Sequence, residues 1–126
     1  MKKQIISTGT APAAVGPYSQ AVMVGDTLYC SGQIPLDPVT GTLYGTTIDV
    51  QAERVMENIR AVLKEAGLDF SNVVKSTCLL QDISYFADFN AVYSRYFEGN
   101  YPARSTYAVK SLPKGALVEV EVIAVK

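Results

Sequence analysis

The sequence predicts an α/β domain, a mixed β-sheet with two helices packed on one face, in the order βββαβαββ. Three observations carry this expectation. Apolar residues recur at three- and four-residue steps over 49–66, an aromatic stripe of the same period runs over 84–97, and short apolar or β-branched runs bounded by Gly and Pro fill the rest. At 126 residues the chain can close one hydrophobic core without staples and is read as a single domain, 1–126.

Lys2 to Ser7 reads as the first strand, and the following stretch to Ser19, with Gly9, Pro12, Gly16 and Pro17, as an irregular loop long enough to be functional. Gln20–Val24 and Thr27–Ile34 flank Gly25-Asp26, a hairpin signal. Pro35 and the Asp37-Pro38-Val39-Thr40-Gly41 cluster then stop regular pairing. From Asp49 to Ala66 the residues Ala52, Val55, Met56, Ile59, Val62, Leu63 and Ala66 form one helical face, with Thr46 or Thr47 to cap it and Gly67 to end it. Val73–Leu80 is mostly apolar or β-branched and reads as a strand buried on both faces. Ser84–Phe97 is the second helix, with Phe86, Phe89, Asn90, Tyr93 and Phe97 on one stripe and Gly99, Asn100 and Pro102 beyond it. Arg104–Val109 and Ala116–Val125 are the last two strands.

Composition removes whole classes of chemistry. Hydrophobic residues at 48% and charged residues at 18%, with no like-charge run, leave no candidate for a long disordered segment. A net charge of −1 and a pI near 5.3 give no overall positive field, so neither nucleic acid nor an anionic membrane is an expected partner. The start, Met1-Lys2-Lys3-Gln4, leads into only two consecutive apolar residues, and a cytoplasmic location is the simplest expectation. There is no histidine, which removes Ser-His-Asp and Cys-His catalysis and the common zinc sites. Cys30 and Cys78 sit far apart in apolar stretches and read as reduced core residues. Catalysis must therefore rest on carboxylates, Arg, Tyr, hydroxyls, backbone groups or water.

Several polar residues stand where packing alone would not put them. In the last strand Glu119 and Glu121 share a face with Leu117, Ile123 and Val125 by the period of two. At a sheet edge both carboxylates stand in water; at the centre Glu121 is forced into partial burial and needs a donor, a water or a raised pKa. Arg104 opens a strand, with Thr106 on the same face, and offers a fork suited to carboxylates. A simple hairpin of the last two strands would instead set Arg104 opposite Glu121 as a plain ion pair. Asn90 interrupts an aromatic stripe, so its amide either bonds a backbone group inside the core or points into a cleft. Tyr18 and Ser19 lie in the irregular loop, and Gly32 after Ser31 permits close approach of a ligand.

Together these segments resemble the Rid/YjgF family over Ala11–Lys126. The resemblance rests on Ala11-Pro12-Ala13-Ala14-Val15-Gly16-Pro17-Tyr18-Ser19-Gln20, Ser31-Gly32-Gln33-Ile34-Pro35, Tyr101-Pro102-Ala103-Arg104-Ser105, and Val118-Glu119-Val120-Glu121-Val122-Ile123-Ala124-Val125. It implies a chorismate-mutase-like fold, a homotrimer with clefts between subunits, and a last strand lying between earlier ones, so that Glu121 becomes buried. It further implies cofactor-independent hydrolysis of 2-imino and enamine acids, such as 2-iminobutanoate and 2-iminopropanoate, to 2-keto acids and ammonia. Carried onto this chain, Arg104 clamps the substrate carboxylate and Glu121 handles the attacking water. Tyr18, Ser31, Gly32, Asn90 and Thr106 shape the cleft. Thr106 stands where many members carry cysteine, and a backbone role for that position fits threonine. The competing expectation is a trimer that binds small carboxylic acids for regulation without turnover. Ribonuclease activity, attached to some members, finds no basic stripe here.

Overall fold

The computed structural model describes Met1–Lys126. Six strands form one sheet: β1 (Lys3–Ile6), β2 (Ala21–Val24), β3 (Thr27–Cys30), β4 (Val73–Leu80), β5 (Ala103–Ala108) and β6 (Val118–Val125). Two α-helices, α1 (Ile48–Glu65) and α2 (Phe86–Tyr93), complete the expected order. The sheet runs β1-β2-β3-β6-β4-β5, antiparallel throughout except for the parallel pair β4–β5. The last strand in sequence is thus central, and β4 separates it from β5. The hairpin that would pair Arg104 with Glu121 does not form.

Alternation along β6 explains where the helices sit. Val118, Val120, Val122 and Ala124 are buried, and they share one core cluster with Val55, Met56, Ile59, Val62 and Leu63 of α1 and with Phe89 and Val92 of α2. Both helices cover this one face. The opposite face carries Glu119, Glu121, Ile123 and, on β3, the half-exposed Tyr29. Burial of β4 consequently alternates, with Ser76, Cys78 and Leu80 inside and Val74 48% exposed, which corrects the expectation of a strand buried on both sides. The apolar composition of β4 reports its central position, not a second helical layer.

The β2–β3 hairpin turns on Gly25-Asp26, with Val24 opposite Thr27 and Gly25 at φ 57°. Helix α1 starts with Thr47 in extended conformation but without a side-chain capping bond, and Gly67 at φ 77° follows its end. The segment expected as a continuous helix over 84–97 is three pieces. Single 3₁₀ turns at Ile83–Tyr85 and Ser94–Tyr96 flank an α2 of eight residues. The Asp82 carboxylate accepts the Ser84 N–H at 2.8 Å and fixes the start. Aromatic bulk at Phe89, Tyr93 and Phe97 still reaches the core.

Strand β3 ends at Cys30, short of the expected Ile34. Tyr29 lies opposite Ile123, whereas Gln33, four residues on, lies opposite Val120, three residues back. The extra residue is absorbed around Ser31-Gly32, which breaks the ladder in the manner of a bulge. Three buried amides pin the surrounding loops. Gln20 Nε2 donates to the Pro12 and Thr8 carbonyls at 2.8 and 3.1 Å, Asn58 Nδ2 to Ile34 and Leu36 at 3.2 and 3.0 Å, and Gln51 Nε2 to Gly45 at 3.0 Å. No helix is long and apolar enough to cross a membrane. Cys30 and Cys78 are buried free thiols, and burial pushes their pKa values up to about 12 and about 11, so neither supplies a thiolate nucleophile.

Candidate active site

The break at Ser31-Gly32 builds one half of the site. Ser31 Oγ donates to the Ser19 carbonyl at 2.6 Å, and its N–H donates to Gln20 O at 2.9 Å, which ties the strand end to the N-terminal loop. Tyr18, 53% exposed, projects from that loop. Together with Glu119 and Glu121 these residues line an open cleft of about 800 Å³.

Glu119 enters the space that a side chain at position 32 would need: a Cβ built on Gly32 overlaps Glu119 Oε2 and falls 2.9 Å from Cδ. Only glycine lets the carboxylate lie against the backbone there. Burial, and then the charge of Glu121, raises the Glu119 pKa above the ordinary glutamate range. Glu121 itself is exposed. The carboxylate pressed into the cleft is therefore Glu119, and the expected burial of Glu121 is corrected. The two glutamates are equivalent by period and face; only the non-local register of β3 against β6 separates them.

The second half lies at the β5 edge. In the β4–β5 register Arg104 stands beside Ser76 and Thr106 beside Cys78, and both partners on β4 are buried, so Arg104 and Thr106 point to the helix-covered side. Arg104 Nη1 donates to Asn90 Oδ1 at 2.7 Å, which settles what Asn90 does. Its guanidinium lies over the rings of Tyr93 and Phe86, 4.9 and 5.5 Å from their centroids. Arg60–Glu57 is the only ion pair in the chain, so no carboxylate meets Arg104. A guanidinium held by an amide and two rings but left without an anion is prepared to receive one. Asn90, Tyr93, Ser94, Tyr101, Pro102 and Arg104 enclose a cleft of about 320 Å³. Thr106 Oγ1 is buried without a hydrogen-bond partner.

The two halves do not meet in one chain. Glu121 pairs in register with Thr77 and Glu119 with Leu79, alternating with Ser76 and Cys78, the neighbours of Arg104 and Thr106. Arg104, Asn90 and Thr106 thus lie on one face of the sheet, and Tyr18, Ser31, Gly32, Glu119 and Glu121 on the other or at its margin.

Comparison with known proteins places this arrangement. A Bos taurus protein named 2-iminobutanoate/2-iminopropanoate deaminase is 52% identical over 124 residues, covering 98% of this chain and 90% of that one. A proposed regulator, AldR of Lactococcus lactis, is 53% identical over 121 residues and 96% of each chain. The crystal structure of the Rid protein family member YyfA from Yersinia pestis superposes with a TM-score of 0.97 at 48% identity, covering 99% of this chain and all of that one. The family model described as Endoribonuclease L-PSP matches residues 8–126. With a match of that extent behind the sequence blocks and the fold, the chain belongs to this family, the Rid/YjgF family.

Proposed function

We propose that the protein is a cofactor-independent imine deaminase that hydrolyses 2-imino acids such as 2-iminobutanoate and 2-iminopropanoate to 2-keto acids and ammonia. The single observation that carries this is the unpaired, pre-held Arg104 guanidinium in a chain that also presses a carboxylate of raised pKa into a cleft. Arg104 takes the substrate carboxylate. Water adds to the carbon of the protonated imine, its leaving proton passing to the Glu119 carboxylate and the nitrogen becoming a neutral amine. The carbinolamine then collapses: Glu119 returns its proton to the nitrogen, the C–N bond breaks as the hydroxyl becomes the keto oxygen, and the hydroxyl proton leaves with ammonia as ammonium. A pKa above the glutamate range suits a group that must take and return one proton. The water-handling role assigned from the resemblance to Glu121 passes in this proposal to Glu119, because Glu119 alone lies against Gly32. Tyr18, Ser31 and Asn90 shape the cleft, and Thr106 serves through its backbone.

The working form in this proposal is a closed ring of three in which the Arg104 half of one copy faces the Glu119 half of the next. Its support is the separation of the halves on opposite sheet faces and an uncovered sheet face bearing Ile5, Tyr29 and Tyr107, each half-exposed in the single chain. The nuclease activity in the family description finds no basic surface here, with a net charge of −1. Ammonia or 2-keto acid release from freshly generated 2-iminobutanoate tests the activity. Turnover that survives Arg104→Ala unchanged overturns the site, and no turnover by the native protein leaves the regulatory, ligand-binding trimer in its place.

A further inference from the structure

Arg104 has four rotatable bonds above its Cα, yet its guanidinium occupies one place, between an amide and two rings. We propose that the buried hydroxyl pair Ser76–Tyr93 is a positioning device that fixes the plane on which Arg104 rests, an inference built on the carboxylate-clamping role given to Arg104 above. Ser76 sits beside Arg104 in the β4–β5 register and Tyr93 closes α2 above both strands. Their relative exposures are 0% and 4%, and their hydroxyls form a short, buried hydrogen bond. Neither hydroxyl has another side-chain partner, so each satisfies the other.

The Tyr93 ring is held from its sides as well, with the Phe89 centroid at 5.5 Å and the Phe97 centroid at 4.8 Å. A ring wedged between two others and tied at its hydroxyl to a sheet residue cannot tilt, so the face it turns to Arg104 is fixed by the core and not by solvent. Asn90, one turn earlier on α2, then fixes the rotation of the fork in that plane by accepting one N–H. What remains is an edge of donors aimed away from the ring. A fork held in this way loses little freedom when a carboxylate arrives, which is what preorganisation contributes to binding. Tyr93 is thus a positioning residue. It acts through Arg104.

The test measures Arg104 directly as well as the substrate. With 2-oxobutanoate as the probe, Tyr93→Leu is expected to weaken binding, and to raise KM for 2-iminobutanoate, by about tenfold, the scale of a desolvated cation–π contact, while kcat stays within about threefold. Tyr93→Phe, which keeps the ring but loses its bond to Ser76, is expected to shift both in the same direction by about threefold, between the native protein and Tyr93→Leu. The ¹⁵N NMR signals of the Arg104 guanidinium, assigned by their loss in Arg104→Ala, are expected to be slow in rotation in the native protein, faster in Tyr93→Phe, which cuts the tie to Ser76, and averaged in Tyr93→Leu. Native-like Arg104 signals and KM in Tyr93→Leu overturn the proposal, as does native rotation of Arg104 in Tyr93→Phe. Where Tyr93→Leu does not fold, Ser76→Ala takes its place and, cutting the same bond, should match Tyr93→Phe: faster Arg104 rotation than in the native protein supports the device and native rotation overturns it. Full turnover in Arg104→Ala sinks the functional reading alone, since the NMR criterion for the device stands apart from activity.

Discussion

At the scale of single residues, the choice between Glu119 and Glu121 is the sharpest question, because the two share a strand, a face and a chemistry. Glu119→Gln is expected to lower kcat by about a hundredfold or more, the usual worth of a positioned general base, while Glu121→Gln stays within about threefold. The acidic limb of the rate profile should titrate above the ordinary glutamate range, because burial and then Glu121 raise the Glu119 pKa, and the carboxylate acts only once deprotonated. The same shift fixes a sign for stability. The folded chain holds this proton more tightly than the unfolded one, so stability falls as pH rises from the usual value of 4.5 through the raised one, and Glu119→Gln should remove that decline in denaturation profiles. Gly32→Ala separates function from folding in another way. The added methyl meets the flexible end of Glu119, and the backbone at Gly32 does not have positive φ. Its melting temperature should therefore stay within a few degrees, while displacement of the carboxylate by about 1 Å lowers kcat by tenfold or more. Asn90 interrupts an aromatic stripe, but Arg104 only opens a strand and Ser31-Gly32 only ends one, so spacing flagged them weakly and their roles came from the family resemblance. Glu119 was not singled out, because period two treats it and Glu121 alike; the bulge that distinguishes them is made by a strand some ninety residues away.

At the scale of elements, legibility followed the length and regularity of the hydrophobic pattern. Helix α1 was readable because seven apolar positions repeat over five turns, and the structure buries nearly all of them. The segment over 84–97 carries the same period in aromatic residues, but Asp82, Ser84 and Ser94 make local bonds that favour tight turns at its ends, so only its middle is α-helical. Strand β3 stops early for a reason absent from its own residues, the pairing of Gln33 with Val120. What holds that irregular stretch against α1 is Asn58, which is fully buried, donates to the Ile34 and Leu36 carbonyls and accepts from Arg54 Nε at 3.1 Å. Asn58→Ala leaves the partly buried Leu36 carbonyl without its donor and Ile34 O with only the Leu36 N–H, and it opens a small void, at a cost of about 2–4 kcal/mol. The urea midpoint should fall accordingly with the m-value unchanged. A variant as stable as the native chain would mean that the loop is held by its backbone alone.

At the scale of the whole molecule, the sheet separates the two groups to which the proposed mechanism assigns the chemistry: Arg104 faces the helices, and Glu119 faces away from them. A site inside one chain would need a substrate that reaches through the sheet, which no small 2-imino acid does. A site shared between copies needs only that the β5 edge of one copy meet the uncovered face of the next, and a three-fold ring repeats that contact without leaving a free end. Light scattering should therefore give about three chain masses. Mixing inactive copies gives the stronger test. Arg104→Ala chains carry an intact Glu119 half and Glu119→Gln chains an intact Arg104 half, so each alone is inactive. In co-expressed rings assembled at random from equal amounts, roughly a quarter of the shared clefts combine two intact halves, and about that fraction of native turnover should return. If both functional halves of a site belong to the same chain, every cleft in the mixture carries one lesion and no turnover returns. Recovery near a quarter thus places Arg104 and Glu119 on different subunits; complete failure in rings shown to contain both chains would return the site to a single copy and require a rearrangement of the sheet to bring its two faces together.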